Sequence, residues 1–209
     1  WVGMARETAH QLGTPVSALM GWVDWLKEHP EKTGEIIPEM EADLQRLEQI
    51  GRRFSKMGSK TDFEELDLSE RVQRVVDYLA KRMPSLGKKV DLVNDIQPGI
   101  TIKANGSLLA WSIENLIRNG IDAIDRDDGK VSVSLRKEKD EIHIRIRDNG
   151  KGIPKKDWRN IFRPGFSTKR AGWGLGLSLS SRIVEDIHNG KLQVIESSSE
   201  TGTIIEIRL

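Results

Sequence analysis

The sequence predicts a multidomain chain, in which an all-α helical hairpin precedes an α+β domain built as a two-layer α/β sandwich. Within residues 1–62 the apolar side chains recur at alternating steps of three and four, which is the seam of an amphipathic helix. Over residues 131–135 and 142–146 apolar and polar side chains alternate, which predicts two strands with one buried face. Helical patterns flank these strands, so we expect helices packed on a largely antiparallel sheet.

The first part is predicted to contain two helices joined by a short link. The first helix ends at His29-Pro30, because proline disfavours the helical conformation in the residue before it. One hairpin cannot bury both apolar seams, so we expect a homodimer that forms a four-helix bundle. The alternative is a hairpin docked on the second domain. The seam residues are Val2, Ala5, Ala9, Leu12, Val16, Leu19, Val23 and Leu26 in the first helix, and Ile37, Met40, Leu44, Leu47 and Phe54 in the second.

The second part follows a short acidic link at residues 61–68. A segment at 154–171 has weak periodicity and is expected to form a loop. The expected domains are therefore residues 1–62 and 67–209. The predicted helices cover about 69–83, 107–124 and 174–188, and the predicted strands cover 89–93, 100–103, 131–135, 142–146, 191–196 and 203–209.

Composition excludes several kinds of site and partner. The chain has 209 residues and a net charge of +1, which gives no general reason to expect binding to nucleic acid or to a membrane surface. It has no cysteine, which excludes disulfides, zinc–thiolate sites, iron–sulfur clusters and cysteine nucleophiles.

The chain opens inside a helical pattern, so we expect a piece of a longer protein. We expect it in the cytoplasm, either alone or as the cytoplasmic part of a membrane receptor.

Three polar side chains share one face of the helix predicted at 107–124. Asn115, Asn119 and Asp122 are spaced by four and three residues, beside the apolar stripe of the helix. Amides at the edge of a core need hydrogen-bonding partners, and a Mg²⁺ ion with nucleotide phosphates supplies them. A helix border that faces solvent is the alternative explanation.

A glycine-containing segment directly follows the strand predicted at 142–146. Asp148, at the strand end, can accept a hydrogen bond from an exocyclic amine such as that of adenine. Gly150 and Gly152, just before Ile153, allow positive φ and the close approach of a ligand ring. A tight turn without a ligand is the alternative explanation.

A second glycine-rich segment opens the last predicted helix. Backbone N–H groups at the start of a helix are exposed and suit a phosphate. The residues at this position are Gly172, Gly174, Leu175 and Gly176. A glycine cap of the helix is the alternative explanation.

The loop before this segment carries two aromatic residues and a cluster of basic ones. Phe162 and Phe166 can anchor a mobile lid, and Lys169 can reach a phosphate. Basic residues in a loop are usually just solvated, which is the alternative explanation.

In order and spacing these segments resemble the ATP-binding domain shared by sensor histidine kinases, gyrase, Hsp90-type chaperones and mismatch-repair ATPases. The resemblance covers about residues 67–209. It implies that Asn115 and Asn119 face the Mg²⁺-phosphate end of ATP, with Asn119 as the metal ligand, and that Asp148 binds the adenine amine. The matching motifs are the N box at 115–119, the G1 box at 148–152, the F box at 162–166 and the G2 box at 172–177, with the ATP lid between the last two.

One residue of the N box favours phosphoryl transfer over hydrolysis. In the hydrolytic members of this superfamily a glutamate stands one helical turn before the metal-binding asparagine and activates water. This sequence has Asn115 at that position, and an amide cannot act as a base.

The first helix contains the segment His-Gln-Leu-Gly-Thr-Pro at residues 10–15. Histidine is nucleophilic near neutral pH, because much of it is uncharged there, and Pro15 is expected to kink the helix beside it. The segment resembles the H box of sensor histidine kinases. The resemblance implies that His10 is phosphorylated and that Thr14 helps to dephosphorylate the partner. Gln11 stands where the family often has an acid that is proposed as the base for autophosphorylation.

The sequence therefore predicts the catalytic core of a two-component sensor histidine kinase. We expect a homodimer that uses ATP and Mg²⁺ to phosphorylate His10 and then passes the phosphoryl group to an aspartate of a response-regulator receiver domain. Two alternatives stay open. Gln11 favours a non-catalytic dimeric scaffold that binds nucleotide, and an ATP-driven clamp of the chaperone or gyrase type is opposed by Asn115 and by the hairpin that carries His10.

Overall fold

The chain divides into two compact units, of which the first ends at Thr61 and the second begins at Asp62. The computed structural model describes the backbone of residues 2–58, 63–82, 90–167, 174 and 176–209, and the side chains of the same residues except 2–14, 45, 46 and 48–58.

The first unit is a helical hairpin. Helix α1 spans Val2–Glu28 and continues through Pro15, a 3₁₀ turn spans Pro30–Lys32, and helix α2 spans Thr33–Gly58. The predicted end of the first helix at His29-Pro30 is thus confirmed. In the described parts of the chain, no helix combines the length and the hydropathy needed to cross a bilayer.

The hairpin buries one side of each helix and leaves apolar side chains exposed on another. Pro15 of α1 and Ile36 of α2 are buried, and Trp22 Nε1 donates a hydrogen bond to Oδ2 of the buried Asp43 at 3.2 Å. This bond satisfies a carboxylate that would otherwise be costly to bury, and it joins the two helices at one register. The exposed apolar side chains are Val16, Met20 and Val23 in α1, and Ile37 and Leu44 in α2.

The second unit alternates strands and helices. Its strands are β1 (Glu64–Asp67), β2 (Val90–Ile96), β3 (Thr101–Ala104), β4 (Gly129–Glu138), β5 (Glu141–Asp148), β6 (Lys191–Ser198) and β7 (Gly202–Arg208). Its helices are α3 (Leu68–Arg82), α4 (Gly106–Ala123) and α5 (Gly176–Arg182), and α5 continues as a π-helical turn at Ile183–Ile187. Two 3₁₀ turns, Lys155–Asp157 and Asn160–Phe162, interrupt the segment that was expected to be a plain loop.

The strands form two sheets. The main sheet has the order β2-β4-β5-β7-β6, and within it β2 and β4 run parallel while the other neighbours are antiparallel. Strand β1 pairs with β3 in a separate antiparallel ribbon. The sequence prediction missed β1 because its residues, Glu-Glu-Leu-Asp, are mostly exposed and show no apolar alternation.

The predicted two-layer arrangement is confirmed for this unit. Helix α4 packs on β4 and β5, while α3 packs on β2 and α5 packs on α4. The buried core lies between α4 and the sheet, and its central side chains are Leu109, Ile113, Leu116, Ile117, Val131, Val133, Leu135, Ile144, Ile146 and Ile207.

A polar network lies on β5, β6 and β7. Glu206 is almost fully buried and accepts hydrogen bonds from Arg145 Nε at 2.6 Å and Gln193 Nε2 at 3.1 Å, and His143 Nδ1 lies 3.1 Å from it. Burial alone raises the pKa of Glu206, but the hydrogen bonds from Arg145, Gln193 and His143 outweigh burial and hold the pKa below its ordinary value. The network therefore keeps a buried carboxylate charged and paired.

His188 joins the end of the π-helical turn to the start of α4. Its Nδ1 lies 2.6 Å from the carbonyl oxygen of Ile183, and its Nε2 accepts a hydrogen bond from the backbone N–H of Asn105 at 3.1 Å. Asn105 in turn caps α4, because its side chain accepts from the backbone N–H of Leu108 at 2.9 Å. These contacts require a neutral imidazole with its proton on Nδ1, and burial lowers the pKa of His188.

We expect His188 to make the second unit less stable in mild acid. The unfolded chain protonates this histidine near its ordinary pKa of 6.5, whereas the folded chain does so only at lower pH, so stability falls as the pH drops below about 6.5. Urea unfolding at pH 7.5 and 5.5, followed by circular dichroism, should show a smaller pH-dependent loss in His188→Gln than in the parent. His29→Gln is the control, and an equal loss in the parent and His188→Gln would contradict the assignment.

Candidate functional site

Asp148 ends β5 on the side of the sheet that faces α4. It is 6% exposed, and its carboxylate accepts hydrogen bonds from the backbone N–H groups of Gly150, at 2.9 Å, and Thr203. Burial raises the pKa of Asp148, and these hydrogen bonds offset only part of that effect. An acid with a perturbed pKa beside a glycine-containing turn is typical of a binding site.

The turn after Asp148 is closely packed against the protein itself. A Cβ atom at Gly150 would lie 2.4 Å from the carbonyl oxygen of Ala123, at the end of α4. One at Gly152, where φ is +73°, would lie 2.2 Å from the carbonyl oxygen of Ser198. Both positions therefore require glycine because two backbone segments approach closely, a reason that holds whether or not a ligand is bound.

Neighbouring residues that sequence reasoning did not assign to the site hold this turn in place. The side chain of Asn149 accepts from the backbone N–H of Lys130 at 2.7 Å and donates to the carbonyl oxygen of Asp128 at 2.9 Å. The backbone N–H of Ile153 donates to Ser197 Oγ at 2.7 Å, and its carbonyl oxygen accepts from Trp158 Nε1 at 3.0 Å. The sequence carried no signal for the last two partners, because Ser197 comes from a distant segment of the chain and Trp158, five residues after Ile153, stands in a stretch without periodicity.

Helix α4 places the three predicted polar residues on one side. Asn115 and Asn119 are half-buried, and Asp122 is exposed. The amide nitrogen Nδ2 of Asn115 donates a hydrogen bond to Ser180 Oγ of α5 at 2.9 Å. Asn115 is therefore attached to the helix that follows the predicted lid.

The same helix also connects Asn115 to Asp148. Gly120 lies beside Asp148, since a Cβ atom at Gly120 would be 3.4 Å from the Cβ of Asp148. Five residues of helix separate Gly120 from Asn115, a rise of about 7.5 Å. The structure thus places the acid near one end of α4 and the asparagine about one and a half turns away.

The predicted F-box segment is partly anchored. Ile161 is buried, Phe162 and Phe166 are half-buried, and the backbone N–H of Gly165 donates to the carbonyl oxygen of Gly174 at 3.2 Å. Several predicted site residues lie outside the described residues: Lys169, Gly172 and Leu175 entirely, and the side chains of His10, Gln11 and Thr14, whose backbone belongs to α1.

Comparison with known families matches residues 105–209, half of the chain, to the family described as the histidine kinase-, DNA gyrase B- and HSP90-like ATPases. The chain belongs to this family. Within it, the domain is an ATP-binding domain of the histidine kinase type, because the catalytic domain of the histidine kinase ThkA has a similar fold with a TM-score of 0.62. That alignment has 25% identity and covers 70% of this chain and 94% of that one.

Two curated relatives of this histidine kinase-type domain align across nearly the whole chain. Sporulation kinase E of Bacillus subtilis is 27% identical, over 99% of this chain and 28% of its own length. The sensor histidine kinase ZraS of Klebsiella oxytoca is also 27% identical, over 99% of this chain and 45% of its own length. The chain therefore spans less than half the length of either relative.

We expect Asp148 to select the adenine base in this ATP-binding domain. On this expectation its carboxylate would accept a hydrogen bond from an amine that guanine lacks at that ring position, and a buried group left unpaired would reject the wrong base. Asp148→Asn should weaken ATP binding by about 1.5–3 kcal/mol, the scale of a hydrogen bond to a charged group. Calorimetry should show this loss, with Asp140→Asn in the exposed turn between β4 and β5 as the control. Equal affinities of the parent chain for ATP and GTP would contradict the assignment.

Proposed function

We propose that the chain is the catalytic core of a sensor histidine kinase, in which ATP phosphorylates His10 and the phosphoryl group then passes to an aspartate of a response regulator. Residues 1–62 serve as the dimerisation and phosphoacceptor domain, and residues 67–209 as the catalytic domain. The observation that carries this proposal is that α4 has the buried Asp148 beside one part of it and carries Asn115 about one and a half turns away, in a domain of the histidine kinase type.

The nucleotide lies along α4 in this proposal. Asp148, with Gly150, Gly152 and Ile153 in the turn behind it, receives the adenine base. The phosphates extend towards the asparagines and the lid. The residues proposed for the phosphate end are Asn115, Asn119, Asp122, Lys169, Gly172, Gly174, Leu175 and Gly176, and Phe162 and Phe166 anchor the lid.

The residues at the phosphate end fit a Mg²⁺ ion that arrives with ATP. Mg²⁺ prefers a few protein oxygens together with phosphate and water, and two half-buried amides on one face of α4 supply that kind of donor. Asn119 would hold the ion, with Asn115 beside it. When bound, Mg²⁺ neutralises negative charge on the phosphates, so the protein's main task is to position the reactants.

Transfer to a side chain is favoured over hydrolysis because, among the residues that the structure describes, no base stands where a hydrolytic site holds one. Asn115 occupies the position of the hydrolytic glutamate, and its amide is engaged by Ser180. The adjacent Glu114 is paired with Arg118 at 2.8 Å, which holds its carboxylate on α4. In the proposed step a ring nitrogen of His10 bonds to the γ-phosphorus, the bond from that phosphorus to the β–γ bridging oxygen breaks, ADP leaves, and the other ring nitrogen of the histidine releases its proton to water.

Gln11 and Thr14 are proposed to act in two further steps: Gln11 affects how His10 loses its proton, and Thr14 assists dephosphorylation of the response regulator. An amide such as that of Gln11 can hydrogen-bond to the histidine but cannot remove its proton, so in this proposal His10 reacts mainly through its own neutral form. Thr14 lies one helical turn beyond His10, and we propose that it positions water for dephosphorylation of the response regulator. The partner is inferred because the crystal structure of ThkA with the response regulator TrrA resembles this chain in fold, with a TM-score of 0.73 and 22% identity over 99% of this chain and 60% of that one.

The hairpin forms a homodimer in this proposal, as a four-helix bundle. Its exposed stripe Val16, Met20 and Val23 has the spacing of one helix face, and Leu44 on α2 is 53% exposed. Exposed apolar surface of this kind is typical of an interface, and a second copy of the same hairpin is self-complementary to it.

Incubation with γ-labelled ATP tests the kinase activity. We expect an acid-labile, base-stable label on the parent chain and none on His10→Gln, with ATP affinity unchanged because His10 lies outside the nucleotide domain. His29→Gln, which changes another histidine of the hairpin unit, should keep the label. A label retained in His10→Gln would refute the acceptor assignment. Free phosphate without label would indicate a clamp ATPase, and nucleotide binding with neither product would indicate a scaffold.

Sedimentation equilibrium tests the dimer. We expect a mass of twice the monomer's 23.6 kDa for the parent. Val23→Lys places a charge in the apolar stripe and should weaken the dimer at least tenfold, the effect of about 1.4 kcal/mol. Gly21→Lys adds the same charge at an exposed position that lies neither three nor four residues from any member of the stripe, and it should leave the mass unchanged. Loss of the dimer in both variants, or in neither, would exclude this face as the interface.

A further inference from the structure

The contact between Asn115 and Ser180 fixes the direction in which the Asn115 amide points. Asn115 Nδ2 lies 2.9 Å from Ser180 Oγ, and Ser180 is fully buried in α5. A hydrogen bond in such a place is shielded from competing water, so it holds its geometry.

Gly176, the first residue of α5, also limits the space available to the Asn115 amide. A Cβ atom at Gly176 would lie 2.5 Å from Asn115 Oδ1 and 3.0 Å from Nδ2. Gly176 and Ser180 are four residues apart and therefore share one face of α5. The amide is thus held against that face, and any larger residue at position 176 would displace it.

The serine also determines which end of the amide it binds. In the observed contact the serine Oγ is the acceptor and the amide nitrogen of Asn115 is the donor. An acceptor at this point pairs with the amide nitrogen and not with the amide oxygen. Among the described residues Asn115 Oδ1 accepts no hydrogen bond, so the oxygen is the end that remains for a ligand.

We infer that Ser180 is a positioning residue of the nucleotide site, which orients the Asn115 amide so that its oxygen faces the cation bound with ATP. An amide turned by half a rotation would present N–H groups to the cation that Asn119 holds, and these groups would repel it. This inference rests on the proposed function and assigns a role to a residue outside the four motifs of the ATP-binding domain.

A second buried serine provides a matched control. Ser112 lies on α4 one turn before Asn115, is fully buried, and its hydroxyl has no hydrogen-bond partner among the described residues. Ser112→Ala and Ser180→Ala each remove one buried hydroxyl from the α-helical layer. They differ in that only Ser180 contacts Asn115.

The test is calorimetric binding of ATP over a range of Mg²⁺ concentrations and in EDTA. We expect Ser180→Ala to raise the Mg²⁺ concentration for half-saturation roughly five- to tenfold, the effect of losing one neutral hydrogen bond, and to leave ATP affinity in EDTA unchanged. Ser112→Ala should behave like the parent. Ser180→Thr keeps the hydroxyl and should also retain the Mg²⁺ dependence of the parent.

A double-mutant cycle separates positioning from a general structural effect. Because Ser180 acts through Asn115, Ser180→Ala should have no further effect on Mg²⁺ dependence in an Asn115→Ala background. Additive effects, an equal loss in EDTA, or a defect in Ser180→Thr equal to that of Ser180→Ala would overturn the inference, as would a Ser180→Ala variant that behaves like the parent. Failure of the parent chain itself to bind ATP would instead overturn the proposed function.

Discussion

Helix α4 buries an apolar face in the core and carries polar side chains on another face. The packing of the apolar face therefore determines where the polar side chains of the candidate site lie. Its apolar side chains, including Leu109, Ile113 and Ile117, are fully buried against the sheet. Burial of such side chains stabilises the fold by about 1.5–3 kcal/mol each. This packing sets the rotation of the helix about its axis, and that rotation determines where Asn115 and Asn119 lie.

The fold was largely predictable because apolar periodicity carries most of the information that determines it. Strands β4 and β5 and helix α4 each have a strongly apolar face, and their ends fall within a few residues of the prediction. Strand β1 could not be predicted, because it is short and exposed and forms only through its pairing with β3. The π-helical turn after α5 was also missed, because apolar periodicity does not separate a π-helical turn from an α-helical one; here the backbone N–H of His188 donates to the carbonyl oxygen of Ile183, five residues earlier.

The candidate site was predictable only in part, for a related reason. Asp148 and Asn115 stand in local motifs that can be read along the chain, and the structure places Asp148 beside the helix α4 that carries Asn115. Their supporting partners, Thr203 and Ser180, lie 55 and 65 residues further along the chain, where nothing local distinguishes them from ordinary polar residues. Such partners become visible only when the chain is folded. Position 150 requires glycine because its backbone lies close to the carbonyl oxygen of Ala123. That distance cannot be derived from the sequence alone.

The hydrogen bond between Trp158 and Ile153 gives the molecule an intrinsic optical probe. Indole fluorescence is sensitive to the polarity and hydrogen bonding around Nε1, and Trp158 donates that N–H to the backbone of the turn that follows Asp148. A ligand that shifts this turn alters the surroundings of a natural fluorophore without any chemical labelling. In a variant that keeps Trp158 and replaces the other five tryptophans with phenylalanine, emission would therefore report a ligand at this turn separately from any chemistry at the hairpin.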